Sequence, residues 1–123
     1  MSLPDLLTVA RAASVPFVVL LYAWNFHGHN YNLDVSVEGE IDPATGYVLD
    51  IARLKDIATE CLVRHLDHKN LNLDVPWFRE LIPTSENIAV VCWRELRAAL
   101  PAELALSLRL WETPRNYVDY QGE

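Results

Sequence analysis

Between Tyr31 and Glu38 the chain alternates strictly: Tyr31, Leu33, Val35 and Val37 are apolar, while Asn32, Asp34, Ser36 and Glu38 are polar. Side chains of an extended chain point alternately to opposite faces, so this period of two predicts a strand with one buried face. The turn-forming residues 42–46 follow, with Pro43 fixing one backbone angle and Gly46 free to take a positive one. Residues 47–49 then read as the returning strand of a hairpin. From Ile51 the apolar residues fall at three- and four-residue steps (Leu54, Ile57, Ala58, Cys61, Leu62), which predicts a helix capped by Asp50 and ending near residues 67–74. A second helix opens with Thr84 as its cap and Glu86 in the first turn, where the helix dipole favours negative charge. Ile88, Val91, Cys92, Leu96, Ala99 and Leu100 line one face of it until Pro101 stops the pattern. Alternation returns at Leu104, Leu106, Leu108 and Leu110, residues 113–116 turn, and residues 117–120 come back as a last strand. Upstream, residues 17–22 form a short apolar run that fits a buried strand, whereas residues 1–14 show no clean period. The order of two strands, two helices and two strands predicts a single α+β domain, with an antiparallel sheet covered by helices on one face.

Composition narrows the function. The apolar fraction of 51% and charged fraction of 22% are those of a globular domain. With 10 Lys plus Arg against 17 Asp plus Glu, the formal charge is -7, and a surface of that sign repels phosphate backbones, which excludes nucleic acid as a partner. Cys61 and Cys92 are far apart in sequence and each sits in a helical pattern, so both read as buried free thiols of a reducing compartment. The longest apolar stretch, residues 15–24, is half the length of a membrane span and lacks the flanks of a signal peptide. The expected location is the cytoplasm.

Three groups carry candidate chemistry. His27 and His29 flank Gly28, and on an extended strand two residues two apart point the same way. Two neighbouring imidazoles suit a zinc ion, although the same spacing occurs in plain packing or on a surface. Asp67 adjoins His68 at a helix end, where a carboxylate can hold an imidazole in the tautomer a general base needs, or where both can simply be solvated. Glu112 ends an apolar strand just before a turn, a place from which a carboxylate can accept two hydrogen bonds from an amidine-like ring edge.

The segments NFHGHNY, GEIDPATGYVLDIARLKD, LDHKNLN, PTSENIA and ETPRNYVDY resemble, in order and spacing, the 6-pyruvoyltetrahydropterin and 6-carboxytetrahydropterin synthases. The resemblance implies a tunnelling fold, ββααββ, with a four-stranded antiparallel sheet and two helices on one face. It further implies three subunits closing a barrel, with trimers or dimers of trimers as the homo-oligomer. In that family three histidines hold zinc, and the H-G-H pair matches His27 and His29. The Asp-His pair that relays protons matches Asp67 and His68, and the glutamate that anchors the pterin ring matches Glu112. Thr84 and Ser85 match hydroxyls that approach the pterin. The implied reaction is a zinc-assisted lyase step on 7,8-dihydroneopterin triphosphate, of biopterin or queuosine-precursor type. No histidine precedes His27, Leu21 and Ala23 stand where the family carries its cysteine, and aligning the N-terminal segment with the family's first strand puts Ser14 in place of the first zinc histidine. A non-catalytic pterin-binding or assembly protein on the same fold is the alternative that these departures leave.

Overall fold

The computed structural model describes residues 8–22 and 26–122, with the side chains at 8, 20–22, 26 and 27 outside that description. Two long strands, β1 (Thr8–Tyr22) and β2 (Phe26–Glu40), form an antiparallel hairpin with Phe17 opposite Tyr31 and Val19 opposite His29. The helical layer follows as α1 (Ile51–Ala58), a π-helical stretch (Thr59–Val63) and α2 (Arg64–Leu66). A two-residue strand β3 (Lys69–Asn70), the short α3 (Leu71–Asp74) and a 3-10 turn (Pro76–Phe78) lead to α4 (Ser85–Ala99). The chain closes with β4 (Ala105–Thr113) and β5 (Asn116–Tyr120). The sheet order is β3-β1-β2-β4-β5, and only the β3–β1 pair is parallel.

One face of the sheet and one side of the helices make the core. Ala13, Val15, Phe17 and Val19 of β1, Tyr31, Leu33, Val35 and Val37 of β2, and Leu106, Leu108 and Leu110 of β4 are buried. They meet Leu54, Ala58, Leu62 and Leu66 from the first helical stretch and Ile88, Val91, Cys92 and Leu96 from α4. Phe78, wholly buried, plugs the end of this layer, and Asn72 Nδ2 ties the turn around it by donating to the Phe78 and Leu81 carbonyls (2.8 and 2.9 Å). The opposite face of the sheet has no helical cover and carries small and polar residues, with Arg109 paired to Asp119 at 2.8 Å.

The α+β class, the helices on one face and the four principal strands agree with the sequence reading, but the partners of the first hairpin do not. Residues 47–49 are not a strand. The residues before them do turn as the sequence predicts: Gly46 takes φ 80°, and its N–H and that of Thr45 donate to the Asp42 carbonyl. The chain then runs straight to the Asp50 cap of α1, whose carboxylate accepts from Ala52 N. Since β2 already has β1 on one side and β4 on the other, no edge is left for residues 47–49. The hairpin partner is β1, which absorbs the segment without a clean period. Pro16 is tolerated inside β1 because Val18, two residues on, directs both its N–H and its C=O outward, away from β2. The nitrogen of Pro16 therefore faces an outer edge that has no ladder to satisfy. The fifth strand, β3, is too short to leave an alternation in the sequence.

Candidate functional site

Beyond Asn32, which pairs with Trp111, β2 runs on without β4 beside it. The β4–β5 connection turns away there through an irregular register between Trp111 and Thr113, and the residue between them is Glu112. A bulge of this kind re-aims a side chain. Glu112 thereby joins His29, Gly28, Asn30, Tyr31 and Trp111 around a cavity of about 680 Å³. A smaller adjoining cavity is lined by Asp67, His68 and Val18 and shares Pro16, Asn30 and Tyr31 with the first. Three groups that lie far apart in sequence are thus collected around one stretch of β2.

The Asp67–His68 pair is fastened to β1. Asp67 Oδ1 accepts from Val18 N at 2.9 Å, and His68 N donates to Val18 O at 2.6 Å. These bonds hold His68 at φ 61°, a left-handed conformation that costs a non-glycine residue energy and persists only where neighbours enforce it. Asp67 Oδ2 lies 3.1 Å from His68 Nδ1. A proton on Nδ1 facing that carboxylate leaves Nε2 as the acceptor, and the ring is largely exposed.

Tyr31 connects the remaining parts. Its ring is buried, stacks on Phe17 at 5.5 Å and lies 6.1 Å from the His29 ring. Burial pushes its phenol above the ordinary tyrosine range, a hydrogen bond with the Ser85 side chain partly offsets that, and the charge of Glu112 adds to it. Ser85, the buried first residue of α4, thus has its side chain beside the Tyr31 phenol. Thr84 is exposed, and its Oγ1 caps α4 by accepting from Asn87 N at 3.2 Å. Neither hydroxyl-bearing residue lines the two cavities. Tyr31 itself went unnoticed in the sequence, where it reads as one more apolar position of an alternating strand; the only signal was a polar tip on a residue destined for the core.

Among the described residues, no three of His, Cys, Asp or Glu converge as a metal ion would require. The side chain of His27 and the position Ala23 lie outside the described residues. In the β1–β2 register Leu21 stands opposite position 27 and Val19 opposite His29, and neither a leucine nor a valine can donate to a metal. Ser14 is no substitute: it projects to the uncovered face of the sheet, where its hydroxyl donates to Asp34 Oδ1 at 2.8 Å. Among the described side chains of this stretch, His29 is the one that could donate to a metal ion, whereas a zinc site usually takes three protein ligands.

A family model described as 6-pyruvoyl tetrahydropterin synthase matches residues 22–123. The chain belongs to this family. It is 48% identical over 99 residues to the 6-pyruvoyl tetrahydrobiopterin synthase of Homo sapiens, covering 80% of this chain and 68% of the human one. It is 42% identical over 87 residues to a dihydroneopterin monophosphate aldolase of Pyrococcus furiosus, covering 70% of this chain and 69% of that protein. The solved 6-pyruvoyl tetrahydropterin synthase of Caenorhabditis elegans superimposes with a TM-score of 0.85 at 29% identity, covering 94% of this chain and 96% of the other. That coverage leaves fewer residues unmatched than the fifteen of β1, so at least part of β1 superimposes on that structure although the family model begins only at residue 22.

Proposed function

We propose that this protein is a lyase of the tetrahydropterin synthase type acting on 7,8-dihydroneopterin triphosphate, of biopterin or queuosine-precursor type. The observation that carries the reading is the shared cavity of His29 and Glu112, with the Asp67–His68 pair in the cavity beside it. Glu112 would accept two hydrogen bonds from the amidine-like edge of the pterin, fixing the ring and aiming its side chain toward the histidines. His68, held by Asp67 with Nε2 as the acceptor, would take the proton from the pterin side chain that triphosphate loss requires. Zinc belongs to the same proposal, with His27 and His29 as its protein ligands; such an ion supplies Lewis-acid polarisation when bound. Association of copies into trimers or dimers of trimers is likewise part of it. The name of the Pyrococcus relative supports a dihydroneopterin phosphate as the substrate class, and that of the human relative supports synthesis of a pterin.

A second reading, a pterin-binding protein without turnover, is favoured by Val19, Leu21 and Ala23, which bring neither a thiolate nor a third imidazole near the H-G-H pair. Incubation with dihydroneopterin triphosphate, with and without added zinc, separates the two when products are followed by mass spectrometry. Triphosphate release above that of a His68→Ala control supports the lyase. Pterin binding with no product supports the binding protein. Metal analysis of the purified protein tests the zinc ligands independently.

A further inference from the structure

We infer that Gly28 is a specificity-determining residue: the absence of a side chain there keeps the His29–Glu112 cavity open to a flat heterocycle. The inference rests on the pterin reading of that cavity. Glycine in the interior of a strand weakens it, having no side chain to pack and more backbone freedom to lose, so its presence calls for a reason. Backbone conformation is not the reason. Gly28 lies within β2 opposite Leu20, and the positive-φ glycines are Gly46 and Gly122. Among the described side chains, packing is not the reason either. A Cβ built at Gly28 would meet, among the described residues, only Val18 Cγ1 at 3.9 Å, an ordinary contact, whereas at Gly122 the Trp93 ring leaves no room for one. What remains is the space itself. A side chain at 28 would project to the same face of β2 as Asn30 and Asn32, and all three positions line the cavity of about 680 Å³ that holds His29, Trp111 and Glu112. The fold accepts a larger residue at this position, and the cavity's occupant does not.

That asymmetry gives the test two readouts of opposite sign. Gly28→Ala and Gly28→Val are compared with the wild-type protein by thermal melting and by titration with 7,8-dihydroneopterin, following quenching of tryptophan fluorescence. Both variants are expected to melt no lower than wild type, since the substitution fits the strand. Affinity is expected to fall about tenfold for alanine and further for valine. A glycine needed for folding would do otherwise: melting and binding would drop together in the alanine variant, and that result overturns the inference. Unchanged affinity in both variants overturns it too, while leaving the pterin reading intact. Failure of the wild-type protein to bind the pterin sinks that reading, and the role of Gly28 with it.

Discussion

Replacing Tyr31 with phenylalanine removes one oxygen and leaves the ring stack on Phe17 and His29 in place. The deleted hydroxyl lies beside that of Ser85, and Tyr31 and Ser85 are 4% and 7% exposed, so little water is at hand to take its place. Stranding a buried hydroxyl costs roughly 1–3 kcal/mol. For a domain of this size that is a fall of about 4–10 °C in melting temperature. Ser85→Ala strands the phenol instead and is expected to cost a similar amount. The double variant loses both ends of one bond, so it is expected to be no less stable than the worse single variant, with a coupling of about 1 kcal/mol in the cycle. The phenol also leaves a mark on pH dependence. Its folded pKa is raised, chiefly by burial, so the fold favours the protonated form. That contribution is fully present below the unfolded tyrosine value of about 10 and is lost as pH climbs above it. Urea titrations from pH 8 to pH 11 should therefore show wild type losing stability faster than Tyr31→Phe above about pH 10. Additive costs in the cycle would show that Tyr31 and Ser85 do not join β2 to α4, and identical alkaline slopes would show that burial does not hold the phenol protonated.

Further outcomes follow from other contacts. Asp67→Asn keeps an oxygen for Val18 N but can turn an amide N–H toward His68 Nδ1, forcing the other tautomer; triphosphate release should fall about 10²-fold or more while the melting temperature stays close to wild type. Asp67→Ala lowers both, and a wild-type rate in the asparagine variant would remove His68 from the base role. Burial, with Glu95 adding to it, pushes the half-buried Cys61 thiol up to about 11, so its alkylation by iodoacetamide at pH 8 should run about 100-fold slower than that of a free thiol. Cys92, wholly buried, should react only on unfolding. Phe78→Ala opens a cavity at a fully buried site and should cost about 3–5 kcal/mol in urea unfolding.

The elements that announced themselves did so where one face is apolar and the other is not. β2, α4 and β4 show that contrast; α4 and β4 were read close to their observed limits, whereas the alternation at Tyr31–Glu38 missed the first five residues of β2. β1 hides because its two faces look alike to hydropathy: Ala13, Val15 and Phe17 go into the core, while Ala12, Pro16 and Val18 go to the other side and are no more polar. Residues 47–49 misled for the complementary reason, since a turn followed by apolar residues suits a hairpin and only the sheet order reveals that both edges of β2 are taken. The site was legible as pieces. His29 and Glu112 do share a cavity, and Asp67 does face His68, but their assembly through Tyr31 depends on a packing contact between β2 and α4 that leaves no local trace. Ser85 illustrates the difference: its match to the family suggested a pterin contact, and the fold places it buried at the start of α4, beside Tyr31 and outside the lining of both cavities.

The Asp67–His68 turn itself is fastened to β1 by the N–H and C=O of Val18, just before the short β1–β3 ladder at Val19 and Leu20. Those atoms are the same in every residue except proline, so the seam is blind to side-chain identity. A lineage could rewrite most of the first fifteen strand residues and still deliver the imidazole to its station, provided inward volume is conserved and position 18 keeps its hydrogen. Proline at 18 would instead cut the tether at a single atom, so on the outer edge of β1 that valine is held to its place by its main chain rather than by what hangs from it.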